Sequence, residues 1–170
     1  MKMMLTMLPL MALGECMQTY GSTYCDAGNV DELNASGIVN INRTHVMGAS
    51  NIKGSLNAQS AIFKSLNIYG NAYLKNVKVN DGTKITGYLE AIQSHFENLD
   101  VAADKVILDQ TSINHLVVTQ SQGGITLIVL KNGSKVNGNI CFKGVKGHVR
   151  LEGGSTINGQ VINGDVTDNN

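Results

Sequence analysis

Tryptophan is absent from this 170-residue chain, proline occurs once, and arginine only twice, at Arg43 and Arg150. Aromatic residues make up 5% and charged residues 15%. Each shortage excludes something. With so few aromatics, a core has to be assembled from Val, Ile, Leu and Ala. The two arginines form no patch, and 13 basic residues balance 13 acidic ones, which argues against a nucleic-acid binder. Beyond Pro9 no proline interrupts the chain, as central strands require when every N–H joins a ladder. What is present is a 42% hydrophobic share, enough for one domain's core, together with 19 Gly and 19 Asn. That is the composition of strands broken by frequent turns.

The first fourteen residues stand apart. Lys2 precedes an apolar run from Met3 to Leu13, and Ala12-Leu13-Gly14 supplies small residues for cleavage after Gly14. This is the pattern of a secretory signal peptide over 1–14, too short to span a bilayer. No other stretch is long and apolar enough, so no transmembrane span is expected in the processed chain. Cys16 follows closely, but Glu15 stands where a lipoprotein signal needs a small residue. Cys16 and Cys25 can instead pair as a disulfide in an oxidising compartment, leaving Cys141 single. Three unpaired thiols in a reduced protein are the alternative. Residues 15–32 read as a polar lead segment or N-terminal cap, and 167–170 as a tail.

Between these ends the chain repeats. Residues 36–68 align with 69–101 at an offset of 33, with eight identities: Gly37/Gly70, Val46/Val79, Ile52/Ile85, Gly54/Gly87, Leu56/Leu89, Ala58/Ala91, Phe63/Phe96 and Leu66/Leu99. Inside that duplication lies a finer unit. Gly37, Gly54, Gly70 and Gly87, then Asp104, are spaced by 17, 16, 17 and 17 residues, and each opens an alternating pentapeptide. Period-two alternation marks a strand with one buried face. A unit of about 17 residues cannot bury that face alone, whereas stacked coils can, each adding a rung about 4.8 Å from the last. The expectation is an all-β, single-stranded parallel β-solenoid over 33–166, with seven or eight coils and a rod roughly 30–38 Å long. The four glycines are its corner markers. Past residue 120 the spacing loosens, yet residues 133–140 recur at 154–161, an offset of 21.

Volume patterns sharpen the expectation. The residues four and nine after each marker pair as Ile41 with Val46, Ala58 with Phe63, Leu74 with Val79, Ala91 with Phe96, and Leu108 with Ile113. Wherever the second is Phe, the first shrinks to Ala. Interiors are packed to near-crystal density, so a narrow bore requires such compensation between facing positions. These ten residues are the expected core stack.

The stretch 133–161 (GSKVNGNICFKGVKGHVRLEGGSTINGQV) resembles the repeats of bactofilins, polymer-forming bacterial cytoskeletal β-helix proteins. The whole chain is similar to exported bacterial proteins with the run Ser36-Gly37-Ile38-Val39-Asn40-Ile41, Thr44-His45-Val46-Met47-Gly48 and Ile52-Lys53-Gly54-Ser55-Leu56-Asn57-Ala58. The resemblance covers about residues 33–166. It implies a right-handed β-helix and, for a cytoplasmic chain, a filament-forming role; the export pattern departs from the bactofilin habit.

Chemistry leaves few marks. His45 and His95 fall on one face three coils apart, too far for one metal ion, and His115 and His148 have no evident partners. Asp81, Glu90, Glu97, Asp100, Asp104 and Asp109 scatter over coil positions and read as a solvated surface. Tyr69, Tyr73 and Tyr88, candidates for a saccharide platform, do not share one coil position. No catalytic residue, metal ligand or cofactor is expected. The reading is a non-enzymatic exported structural, self-assembling or surface-interaction protein, with end-to-end association through the C-terminal end and a cell-envelope or surface partner. Its alternatives are a cytoplasmic bactofilin-like filament and a carbohydrate-binding or carbohydrate-active solenoid.

Overall fold

The computed structural model describes residues 16–119 and 124–170. The stretch read as a signal peptide lies outside them. In chain order the strands are β1 (Cys16–Thr19), β2 (Ser22–Val30), β3 (Leu33–Gln59), β4 (Ile62–Lys75), β5 (Lys78–Ile92), β6 (His95–Ala102), β7 (Lys105–Asp109) and β8 (Ser112–Thr119). There follow β9 (Ile125–Lys131), β10 (Lys135–Val136), β11 (Ile140–Lys143), β12 (Lys146–Glu152), β13 (Thr156–Ile157), β14 (Val161–Ile162) and β15 (Gly164–Asn169). The described residues contain no helix. From β2 onward every pairing is parallel, between coils about 17 residues apart, and the result is a β-solenoid of about eight turns.

Each coil has three straight sides separated by three corners, and each corner has its own chemistry. At the first, Gly37, Gly54, Gly70 and Gly87 stack in register with positive φ, and a Cβ on Gly54 or Gly70 would be driven into the carbonyl oxygen of the glycine one coil earlier. Only glycine allows that approach. The second corner is a column of left-handed residues, Ala27, Arg43, Ser60, Asn76, Gln93, Gln110 and Asn132, each with φ near +50°. The amides of Ser60, Asn76, Gln93 and Gln110 donate to the carbonyls of Lys75, Ile92, Asp109 and Lys131 in the next coil. The backbone shape is therefore kept by the ladder rather than by the residue type. The third corner is a register shift after Val46, Phe63 and Val79.

Every side sends two columns into the bore. The ten residues of the expected core stack are all buried, in two of these six columns. Their neighbours carry the compensation further. The layers with Phe63 and Phe96 hold Ala58 and Ala91 on the first side and Leu66 and Leu99 on the third. The layers with Val46 and Val79 hold Ile41 and Leu74 on the first side and Ser50 and Thr83 on the third. Large and small residues thus alternate around the bore from rung to rung, which keeps its volume filled at interior density. The third corner alternates too: residues 47–49 and 80–82 in the valine layers, residues 64–65 and 97–98 in the phenylalanine layers. This is the physical content of the 33-residue period.

A line of buried hydroxyls runs behind the second corner. The Val77 amide donates to Ser94 Oγ at 3.1 Å, the Ser94 amide to Thr111 Oγ1 at 3.2 Å, and the Thr111 amide to Ser134 Oγ at 3.0 Å. Ser94 and Thr111 in turn donate to the Ile92 and Asp109 carbonyls. Small hydroxylated residues recur there because backbone groups just inside the corner would otherwise be orphaned.

Both ends differ from the sequence expectation. Ser22–Val30, expected within a polar cap, lies in full parallel register on Ile38–Val46 and forms the first coil; only β1, antiparallel to β2, caps it. Gly21, sixteen residues before Gly37, was the available signal. Thr167, Asp168 and Asn169, expected as tail, pair with Arg150, Leu151 and Glu152. A preceding rung offers backbone partners whatever the side chains, so polar composition alone does not fray a strand there. Asparagine at corners is only part of its use. Asn76, Asn132 and Asn163 take left-handed backbone, whereas Asn34, Asn51 and Asn67 form an amide ladder on the third side, and Asn40 and Asn57 another on the first.

Candidate functional site

The solenoid turns the sequence into a lattice of outward side chains, and three of its regions carry chemistry. The first is on the first side, at the fourth and fifth coils. Asn71 and Tyr73 leave β4 as outward neighbours, and in register beneath them β5 presents Tyr88 and Glu90. Tyr73 and Tyr88 occupy different coil positions, as their spacing implied, but diagonal ones in adjacent rungs. Their ring centroids are 5.6 Å apart, with the planes inclined at 48°. Tyr88 Oη donates to Glu90 Oε2 at 3.0 Å. Burial, that hydrogen bond, the Glu90 charge and the neighbouring Tyr73 together push the Tyr88 phenol up to about 12. Asn57 lies in register before Tyr73, and Ile107 after Glu90. Tyr69 is not part of this group; it pairs with Lys53 and Thr86 on the third side.

The second region is a groove of about 450 Å³ along the third corner, passing Ser65, Lys84, Asp100 and His115. It exists because the two corner lengths alternate, so successive rungs do not stand flush. Ser50 Oγ and Thr83 Oγ1 are buried beside it and, among the described residues, have no hydrogen-bond partner, as is the case for Asn67 Oδ1. Ser50 and Thr83 belong to an inward column, in phase with Leu66 and Leu99. Arg150 Nε, although buried, is engaged by the Glu152 carboxylate at 2.6 Å.

The third region is the N-terminal hairpin. Cys16 and Cys25 face each other across β1 and β2 and are joined by a disulfide. Cys25 continues the inward column of Ile41, and the bond pins β1 over the first coil. Cys141 is a free, half-buried thiol.

The histidines are dispersed. His45, Ile62, Lys78 and His95 follow one another in register on the second side, and His95 Nδ1 is 2.7 Å from Ser112 Oγ. His148 contacts Asp165 at 3.1 Å. Among the described residues no three His, Cys, Asp or Glu side chains are grouped to hold a metal ion, and no helix is long and apolar enough to cross a membrane. Coil position alone does not reveal the tyrosine pair, because the two rings meet through side and rung. Tyr73 and Tyr88 are fifteen residues apart, two short of a coil, which is the diagonal step. No protein-family model, curated protein or solved structure matches the chain.

Proposed function

We propose that this chain is an exported, non-enzymatic structural rod that associates end to end through its C-terminal rung. One observation carries the reading: among the described residues, β13, β14 and β15 each pair on one side only, with β10, β11 and β12. Unpaired parallel edges on all three sides form a template for the first coil of another copy. Val166 continues the inward column of Val149, yet it is 45% exposed because no described rung follows. At the other end β1 covers only Ser22–Cys25 of the first coil.

The ends also carry what restrains association. Residues 15–32 and 152–170 contain seven of the thirteen acids and no Lys or Arg, while residues 43–150 hold twelve of the thirteen basic residues. The zero net charge therefore conceals two acidic ends, and their mutual repulsion is a salt-dependent control on stacking. Asp168, in register with the inward Leu151, places a carboxylate over the last rung, a known guard of sheet edges.

Export is supported by the N-terminal pattern and by the Cys16–Cys25 bond, which persists in oxidising compartments. A second reading, a bactofilin-like cytoplasmic filament, draws on the glycine-punctuated coil and requires a retained N-terminus with reduced thiols. The decisive variant is Val166→Lys. It should abolish association while leaving the melting temperature within a degree or two of the parent, because the residue is exposed. Undiminished association in this variant and in Val161→Lys would reject the C-terminal contact.

A further inference from the structure

We propose that the outward face around Tyr73 and Tyr88 binds an uncharged, β-linked glycan chain running along the solenoid axis. This goes beyond the structural reading, since a rod can assemble without it.

The argument starts from the lattice. Two outward columns cross four rungs here: Ser55, Asn71 and Tyr88 in one, and Asn57, Tyr73, Glu90 and Ile107 in the other. The two tyrosines are therefore enclosed by two amides, a hydroxyl and a carboxylate. A pyranose ring has the complementary chemistry, with C–H faces that lie on aromatic rings and hydroxyls at its rim that exchange hydrogen bonds with amides and carboxylates. Successive rungs are about 4.8 Å apart, close to the length of one sugar residue, so each tyrosine meets a successive unit of an extended chain. β-1,4-Linked chains are extended ribbons, a shape that can follow outward positions stacked along the axis and turn slightly between rings inclined at 48°.

Tyrosine also suits the task energetically. It offers a large, stiff surface with few rotors to freeze, and Tyr73 is 43% exposed with no described strand above its ring. The Tyr88–Glu90 hydrogen bond fixes one ring and uses one carboxylate oxygen, Oε2; a carboxylate has a second oxygen that can accept from a sugar hydroxyl. The face carries no excess of one charge that would favour a charged polymer: Glu90 is balanced by Lys105 on the following rung, and Lys75 by Asp109 in the neighbouring outward column.

Affinity electrophoresis of the full, disulfide-bonded chain tests this, with hydroxyethylcellulose as probe and polygalacturonate as the charged comparison. Retardation in hydroxyethylcellulose is expected, falling about tenfold or more in apparent affinity for Tyr73→Ala and for Tyr88→Ala. Tyr69→Ala, on a different side, should bind as the parent does. Because the chain has no Trp, ligand-induced changes in intrinsic fluorescence report tyrosine alone and should vanish in the same two variants. Unchanged thermal melts would show that both variants fold. No retardation in hydroxyethylcellulose, or retardation only in polygalacturonate, overturns the proposal. So does a parent dimer in light scattering that Tyr73→Ala dissolves, which would make a second copy the occupant. Each of these results leaves end-to-end association through Val166 to be judged separately.

Discussion

Gly70 sits so close beneath Gly54 that its missing Cβ would fall on the Gly54 carbonyl oxygen. The same relation holds between Gly87 and Gly70, and each of these glycines has φ near +135°. Steric exclusion and backbone conformation therefore act together at this corner. Gly70→Ala should destabilise the rod by about 3 kcal/mol or more, read from denaturant or thermal unfolding. A loss under about 1 kcal/mol would show that the corner relaxes easily. Gly82→Ala is the control, since a Cβ there meets nothing within 4 Å and its φ is unremarkable.

Buried hydroxyls should behave in opposite ways according to their partners. Thr111 Oγ1 accepts the Ser94 amide and donates to the Asp109 carbonyl, so Thr111→Val orphans an amide and should cost about 1–3 kcal/mol. Thr83 Oγ1 has no partner among the described residues, so Thr83→Val should be neutral or stabilising by up to about 1 kcal/mol. Equal destabilisation by both would contradict the assignment of these columns.

Much of this was legible in the chain and some was not. The glycine spacing gave coil length, and the Ala/Phe pairs identified two inward columns because volume compensation is visible in residue size. The third side was harder to read. Ser50 and Thr83 look like surface residues, and their column becomes evident only once the corner is known to alternate between two and three residues. The left-handed column was hidden for a different reason: Arg43, Gln93 and Gln110 are not residues that announce positive φ, and the inter-coil ladder enforces it. Similarly, Tyr73 and Tyr88 meet through rung stacking, a contact that no local window contains.

Alkaline titration should single out Tyr88. Its phenol is pushed up to about 12, chiefly by burial and then by Glu90, so the folded state holds this proton more tightly than the unfolded chain, whose value is near 10. The associated stability is complete below about pH 10 and is lost as pH rises toward 12. Ultraviolet titration should show one late phenolate, and Glu90→Gln should bring it to lower pH. A titration curve without that late component would contradict the described environment.

The Cys16–Cys25 bond closes a short loop, the two residues being nine apart, and holds β1 across the first coil. Reduction, or Cys16→Ser, should lower stability by about 2–3 kcal/mol and expose the outer edge of β2. Hydrogen exchange at Ser22 and Tyr24, whose amides face β1, should accelerate while the amides of Val77 and Ser94 stay protected. Uniform acceleration along the rod would instead indicate that the hairpin is integral to the whole stack.

Opening the C-terminal face chemically should strengthen association. Asp168→Leu extends the apolar column of Leu151 and removes an acidic guard, so larger assemblies should form at lower protein concentration. Light scattering over a dilution series reads this directly. Weaker association in the variant would mean that Asp168 makes a favourable contact between copies.

Sedimentation velocity of the oxidised parent chain, across protein concentration at low and high salt, tests end-to-end assembly most directly. The account predicts elongated species that grow with concentration and grow further as salt screens the acidic ends. A single monomeric boundary at every concentration and ionic strength would contradict it.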